Sequence, residues 1–147
     1  MKIFLGCDHA GFEMKEKLKA YLAELGYQAE DMGASSYDEQ DDYPDFVLPI
    51  AQAVARDPEQ SRGIILGGSG QGEAMVANRV KGARAAVLYF YNENIIRLSR
   101  EHNNANILSL GARFLNDEEA KRAVKLWLEA PFPEDERHKR RILKIDK

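Results

Sequence analysis

The feature that most limits how this chain can fold is a regular exchange between short apolar runs and longer segments of helical period. Ile3 to Gly6 is strand-like, and Met14, Leu18, Tyr21, Leu22 and Leu25 then recur on one helix face before Gly26 ends the run. Tyr27 to Met32 reads as a second strand, Phe46 to Arg56 as a helix, and Arg62 to Leu66 as a third strand that runs into glycines. A helix over Met75 to Val80, a strand over Ala83 to Tyr89, a helix over Asn92 to Glu101 and a fifth strand over Ile107 to Leu110 continue the exchange. Asn116 is placed to cap a further helix, with Glu119 in capping-box position and Ala120, Ala123, Val124, Trp127 and Leu128 on its buried stripe, before Pro131 and Pro133 break it. Such alternation builds parallel strands joined by crossover helices, so an α/β fold is expected.

The last segment, Glu134 to Lys147, is a short and very polar predicted helix whose apolar positions, Ile142, Leu143 and Ile145, are few. It has little to bury on its own domain and is expected to dock on a partner subunit. The 147 residues suit one domain spanning 1–147. No apolar run approaches the roughly 18–20 residues that cross a bilayer, and the start meets Asp8 too early for a signal-peptide core, so a cytoplasmic location is expected. A single cysteine, Cys7, forms no intrachain disulfide and is most simply a small buried residue. With three scattered histidines it gives no zinc spacing, and no metal is expected.

In an open α/β sheet, ligands bind at the carboxyl ends of the strands. The residues there are unusually polar: Cys7-Asp8-His9-Ala10-Gly11 after the first strand and Gly67-Gly68-Ser69-Gly70-Gln71-Gly72-Glu73 after the third, with His102-Asn103-Asn104 before the fifth. The glycine loop lets backbone come close to a ligand and presents N–H groups at a helix start, which suits an anion or a developing anion. A nucleotide phosphate loop is excluded, because Lys and Ser or Thr should follow the last glycine and Glu73 and Ala74 do. The dinucleotide fingerprint fails on spacing, and a serine-hydrolase elbow fails because Gln71 stands where its last glycine belongs. The plainer alternative is a tight turn that merely uses glycine.

Glu73, in the first turn of the following helix, is a candidate general base held near anything in the loop; the plainer alternative is that it complements the helix dipole. Asp8, His9, His102 and Asn103 come from separate elements and are expected to converge with it on one cleft. The net charge of −3 conceals segregation: seven acids and no base between Glu30 and Asp45, against six bases and one acid between Arg137 and Lys147. Arg137 and Arg141, four apart, share a helix face and could grip one phosphate. A solvated polar face is the bland alternative, and a nucleic-acid patch is disfavoured by the absence of interleaved aromatics.

These motifs resemble the ribose-5-phosphate isomerase B family, which includes the galactose-6-phosphate isomerase subunits. The resemblance runs through Gly6-Cys7-Asp8-His9-Ala10-Gly11, Asp42-Tyr43-Pro44, the glycine loop with Ala77-Asn78-Arg79, Ser99-Arg100-Glu101-His102-Asn103-Asn104, Gly111-Ala112-Arg113 and Arg137-His138-Lys139-Arg140-Arg141. It implies a Rossmann-like three-layer α/β/α sandwich with a five-stranded parallel sheet, and a dimer or dimer of dimers with active sites at the interface. It implies interconversion of ribose 5-phosphate and ribulose 5-phosphate through a cis-enediolate, without metal or redox cofactor. The alternatives are a hexose-phosphate isomerase acting on galactose or allose 6-phosphate, or a non-catalytic phosphosugar-binding protein. By this resemblance Asp8 and His9 bind the sugar, with Tyr43 nearby, and Gly68, Ser69, Gly70, Gln71 and Gly72 hold its reacting end. His102 assists ring opening beside Asn103, and Arg113, Arg137 and Arg141 bind substrate, the last two through its phosphate. Many family members carry a catalytic cysteine where this chain has Gly67; this chain resembles the branch that uses a glutamate, here Glu73.

Overall fold

The computed structural model describes residues 1–145. Its sheet has five parallel strands, β1 (Lys2–Cys7), β2 (Ala29–Asp31), β3 (Ser61–Gly67), β4 (Ala85–Leu88) and β5 (Ile107–Gly111), in the order β2-β1-β3-β5-β4. Helices α1 (Phe12–Glu24), α2 (Tyr43–Arg56), α3 (Gln71–Ala77), α4 (Glu93–Glu101) and α5 (Asp117–Glu129) form the crossovers, and α6 (Glu136–Ile145) follows. The expected α/β/α sandwich is what the chain forms.

Strand side chains alternate between two cores, as the pleat requires. Ile3, Leu5, Ile64, Leu66, Leu108 and Leu110 face α1, α4 and α5, where Leu18, Leu22, Ile96 and the fully buried Trp127 fill the layer. Phe4, Ile65 and Ile107 face α2 and α3 through Val47, Ile50, Val54 and Ala77. Burying each such large side chain stabilises the fold by about 1.5–3 kcal/mol.

The register aligns the strand ends that matter: Cys7 pairs with Leu66 and Gly67 with Gly111. The connection from β1 leads outward to β2, whereas that from β3 leads the other way. The crevice between β1 and β3 is therefore a topological switch point, where ligands bind in sheets of this kind.

Element ends differ from the sequence expectation where local bonds intervene. The second strand shortens to three residues, because the Tyr27 N–H closes the end of α1 on the Leu22 carbonyl at 2.9 Å. Helix α3 begins at Gln71 instead of Met75, since Gly70 adopts the left-handed conformation (φ +77°) and turns the loop directly into a helix. Helix α2 begins at Tyr43, behind Asp42, with Pro44 in its first turn, where the missing N–H costs nothing. The capping box of Asn116 and Glu119 forms as expected. Of the C-terminal helix, Asp146 and Lys147 lie outside the described residues; His138 is buried, while Leu143 and Ile145 are exposed.

Lys15 is fully buried on α1, and its ammonium donates to both Asp31 oxygens at 2.9 Å and to the Ala34 carbonyl at 2.6 Å. Part of the acidic run thus has a structural task, fixing the exit of β2 and the loop that leads to α2.

Candidate active site

The glycine loop leaves β3 and is braced by the chain leaving β5. Ala112 donates its N–H to the Gly67 carbonyl at 2.8 Å and Arg113 to that of Gly68 at 3.0 Å. Ser109, buried on β5, donates its hydroxyl to the Gly70 carbonyl at 2.6 Å. The loop's bare backbone makes room for neighbours: the Arg113 side chain lies against Gly68, and the Tyr43 ring against Gly72. The Ser69 hydroxyl accepts the Gln71 N–H at 3.3 Å, and Ala74 donates to the Gly70 carbonyl at 3.1 Å. The N–H groups of Gly70 and Gly72 have no protein acceptor among the described residues, so they, together with the Ser69 hydroxyl, remain for a ligand.

Glu73 is 4% exposed, on the buried side of α3. Its carboxylate occupies the space that a Cβ on Gly67 would need. Burial pushes its pKa above the ordinary carboxylate value, and the neighbouring Asp8 charge adds to the shift. A carboxylate so placed accepts a proton at neutral pH more readily than an exposed one, as general-base work requires.

Across the switch point, Asp8 follows β1 and caps a short 3₁₀ turn, its Oδ1 accepting from Ala10 at 2.9 Å and Gly11 at 3.3 Å. That task was not expected of it, and it leaves Oδ2 without a protein partner among the described residues. His9 follows, its Nδ1 2.6 Å from Asp41 Oδ1. Arg113, His9 and Tyr37 line a groove of about 620 Å³. Asp8, His9 and Asp41 bring ligand-type atoms within 4.8 Å of one another, but Asp8 Oδ1 and His9 Nδ1 are already committed to internal hydrogen bonds. Cys7 is fully buried, and burial pushes its thiol up to about 11, so it is inert packing.

One expectation fails within the single chain: His102 and Asn103 do not converge on this cleft. Helix α4 runs antiparallel to the sheet, so its end, His102, lies at the amino edge of the strands. β5 by itself interposes about 13 Å of rise between that edge and the glycine loop. His102 instead stacks on His138 of α6, with ring centroids 4.3 Å apart and planes 16° from parallel. Arg137 and Arg141 sit exposed on that same helix. The predicted residues thus fall into two groups, Asp8, His9, Tyr43, the glycine loop, Glu73 and Arg113 at the carboxyl edge, and His102, Asn103, Arg137 and Arg141 at the other. The direction of each crossover helix could have foretold this, since a residue leading into a strand lies at that strand's amino end. Asp41 and Ser109 were missed, one hidden among many acids and the other inside an apolar strand.

A buried carboxylate behind a loop of free backbone donors, at the switch point of a parallel sheet, defines an α/β enzyme that moves protons beside a developing anion. The chain belongs to the Ribose/Galactose Isomerase family, whose model matches residues 3–145. It is 44% identical over 142 residues to ribose-5-phosphate isomerase B of Mycolicibacterium paratuberculosis, covering 97% of this chain and 87% of that protein. The solved ribose-5-phosphate isomerase B of Mycoplasma genitalium with bound ribulose-5-phosphate superposes with a TM-score of 0.93 at 38% identity, over 99% of this chain and 93% of the other. The Clostridium thermocellum enzyme gives 0.91 at 42% identity, over 99% and 95%.

Proposed function

We propose that residues 1–147 act as a single sugar-phosphate isomerase domain that interconverts ribose 5-phosphate and ribulose 5-phosphate. The observation that carries the reading is Glu73, buried over Gly67 behind the glycine loop. Glu73 takes the proton from the carbon beside the carbonyl and returns it to the neighbouring carbon. The Ser69 hydroxyl and the N–H groups of Gly70 and Gly72 stabilise the enediolate oxygen, and being fixed beforehand they reorganise little. Asp8 and His9 hold the sugar hydroxyls, with Tyr43 closing over Gly72. No metal or redox cofactor enters this scheme.

The remaining groups come from a second copy. His102, as the ring-opening group, Asn103, and the phosphate arginines Arg137 and Arg141 lie too far from Glu73 of their own chain to serve it. Exposed apolar side chains support such a pairing: Met75 on α3, Tyr89 and Phe90 after β4, and Ile95 and Leu98 on α4 all lie on the side of the edge strand β4. α6, with Leu143 and Ile145 exposed, docks on that partner. Among the described residues no helix is long and apolar enough to cross a membrane, and a cytoplasmic place fits the metabolite substrate.

The test is a panel of five- and six-carbon aldose phosphates with purified protein. Ribose 5-phosphate is expected to give the highest kcat/KM; turnover of none of them would overturn the reading, and a preference for a hexose phosphate would reassign the substrate.

A further inference from the structure

Among the acids of the run to which neither the fold nor the proposed chemistry has given a task, Asp41 is set apart by its burial. Asp41 lies in the loop between β2 and α2, with its side chain only 9% exposed. Its Oδ1 meets His9 twice, accepting the backbone N–H at 3.1 Å and approaching the ring Nδ1 at 2.6 Å. Its Oδ2 is buried with no hydrogen-bond partner among the described residues. A buried carboxylate without compensation is costly, and His9 is the cationic group it touches. Tyr37, from the same loop, packs edge-on against the imidazole with centroids 6.1 Å apart.

We propose that Asp41 is a positioning residue that holds the Nδ1–H of His9 and so presents Nε2 as a cationic donor to the phosphorylated sugar. The inference rests on the sugar-phosphate reading of the groove that His9 and Arg113 line. The arrangement is that of a carboxylate orienting a working imidazole through the nitrogen remote from the ligand. The charged groups around His9 favour its protonation on balance: the Asp41 hydrogen bond, Asp8 and Asp41 raise its pKa, whereas burial and Arg113 oppose them. Glu13, Glu16 and Lys17 of α1 line the same groove. Asp41 thereby keeps a positive charge in the cleft at pH values where a free imidazole has lost it.

The experiment compares wild type with Asp41→Asn, Asp41→Glu, His9→Gln and the double variant His9→Gln/Asp41→Asn. Imidazole titrations followed by NMR are tractable with three histidines, and the His9 signal is the one that His9→Gln removes. The His9 titration is expected to move to lower pH in Asp41→Asn and to stay near the wild-type position in Asp41→Glu. KM for ribose 5-phosphate should rise about tenfold in Asp41→Asn, more than kcat falls, since a hydrogen bond to a charged group is weakened. In the His9→Gln background the same change should add nothing further. An unchanged His9 titration in Asp41→Asn, or an undiminished Asp41→Asn effect without His9, would overturn the proposal. Should Asp41→Asn fail to fold, Asp41→Glu carries the test alone: a His9 titration at or above the wild-type position, with wild-type KM, supports it, and a lowered one overturns it. Failure of the underlying function would show separately, as wild-type protein inert toward ribose 5-phosphate, and the titration would still decide whether Asp41 controls His9.

Discussion

The Glu73 carboxylate fills the volume above Gly67, so the chain has space for a side chain at one of these positions and not at both. A base reaching from the end of β3 and one reaching back from α3 would compete for the same point. This gives a steric reason for glycine at position 67 in a chain that carries Glu73.

Gly67→Cys alone should therefore destabilise the protein and lower activity, because the thiol and Glu73 collide. Gly67→Cys combined with Glu73→Ala should fold better than the single variant and recover part of the turnover lost in Glu73→Ala. Thermal melts with steady-state kinetics on the three variants measure this; a double variant no better than Glu73→Ala would mean that the thiol does not reach the reacting carbons.

Glu73→Gln should lower kcat by about 10²–10⁴-fold with the fold intact, since the proton carrier is lost. The same change should raise stability. A carboxyl whose folded pKa lies above its unfolded value favours folding below the unfolded pKa, and that advantage is lost as pH rises through the folded pKa. The stability gain of Glu73→Gln over wild type should accordingly grow from the ordinary glutamate range up to the raised Glu73 value. Urea denaturation at pH values below, within and above that window checks the sign.

On the proposed mechanism the same shift should set the acid limb of catalysis. The wild-type kcat profile should fall toward acid with a midpoint above the ordinary glutamate value of about 4.3, because Glu73 must be ionised to accept the proton. A midpoint at or below the ordinary value would argue against Glu73 as the base.

If sites are shared between copies, two inactive variants should rescue each other. Glu73→Gln and Arg137→Ala/Arg141→Ala chains, denatured together and refolded at equal amounts, should regain about a quarter of wild-type activity, since half the dimers are mixed and each has one intact site. No recovery, with mixed dimers present by mass spectrometry, would place both groups on one chain's site.

Lys15→Met should cost about 1.5–3 kcal/mol, because it removes a buried ammonium that donates to Asp31 and Ala34 and leaves their oxygens without it. Chemical denaturation measures the loss. The KM should rise as well, as the loop that carries Asp41 and leads to Tyr43 loosens at its root.

The alternation of periods, the Asn116 capping box and the run of glycines after β3 are local properties, and they mark an α/β fold, the glycine loop and Glu73 from the sequence alone, whereas the turn from Gly70 straight into α3 appears only in the structure. Spacing along the chain fixes which residues share a helix face or a strand end, because those relations depend on backbone geometry within a few residues. It puts His102, which leads into β5, at the amino end of that strand, but it does not fix how far that lies from Glu73, 29 positions earlier. Nor does it select Asp41 from seven acids as the partner of His9, 32 positions earlier. Those pairings come from packing around the switch point, where β1 and β3 lie side by side and the loop after β2, pinned by Lys15, folds back over the end of β1. Tertiary structure alone brought Asp41 to His9 and Lys15 to Asp31, and so gave a nondescript acidic run its work.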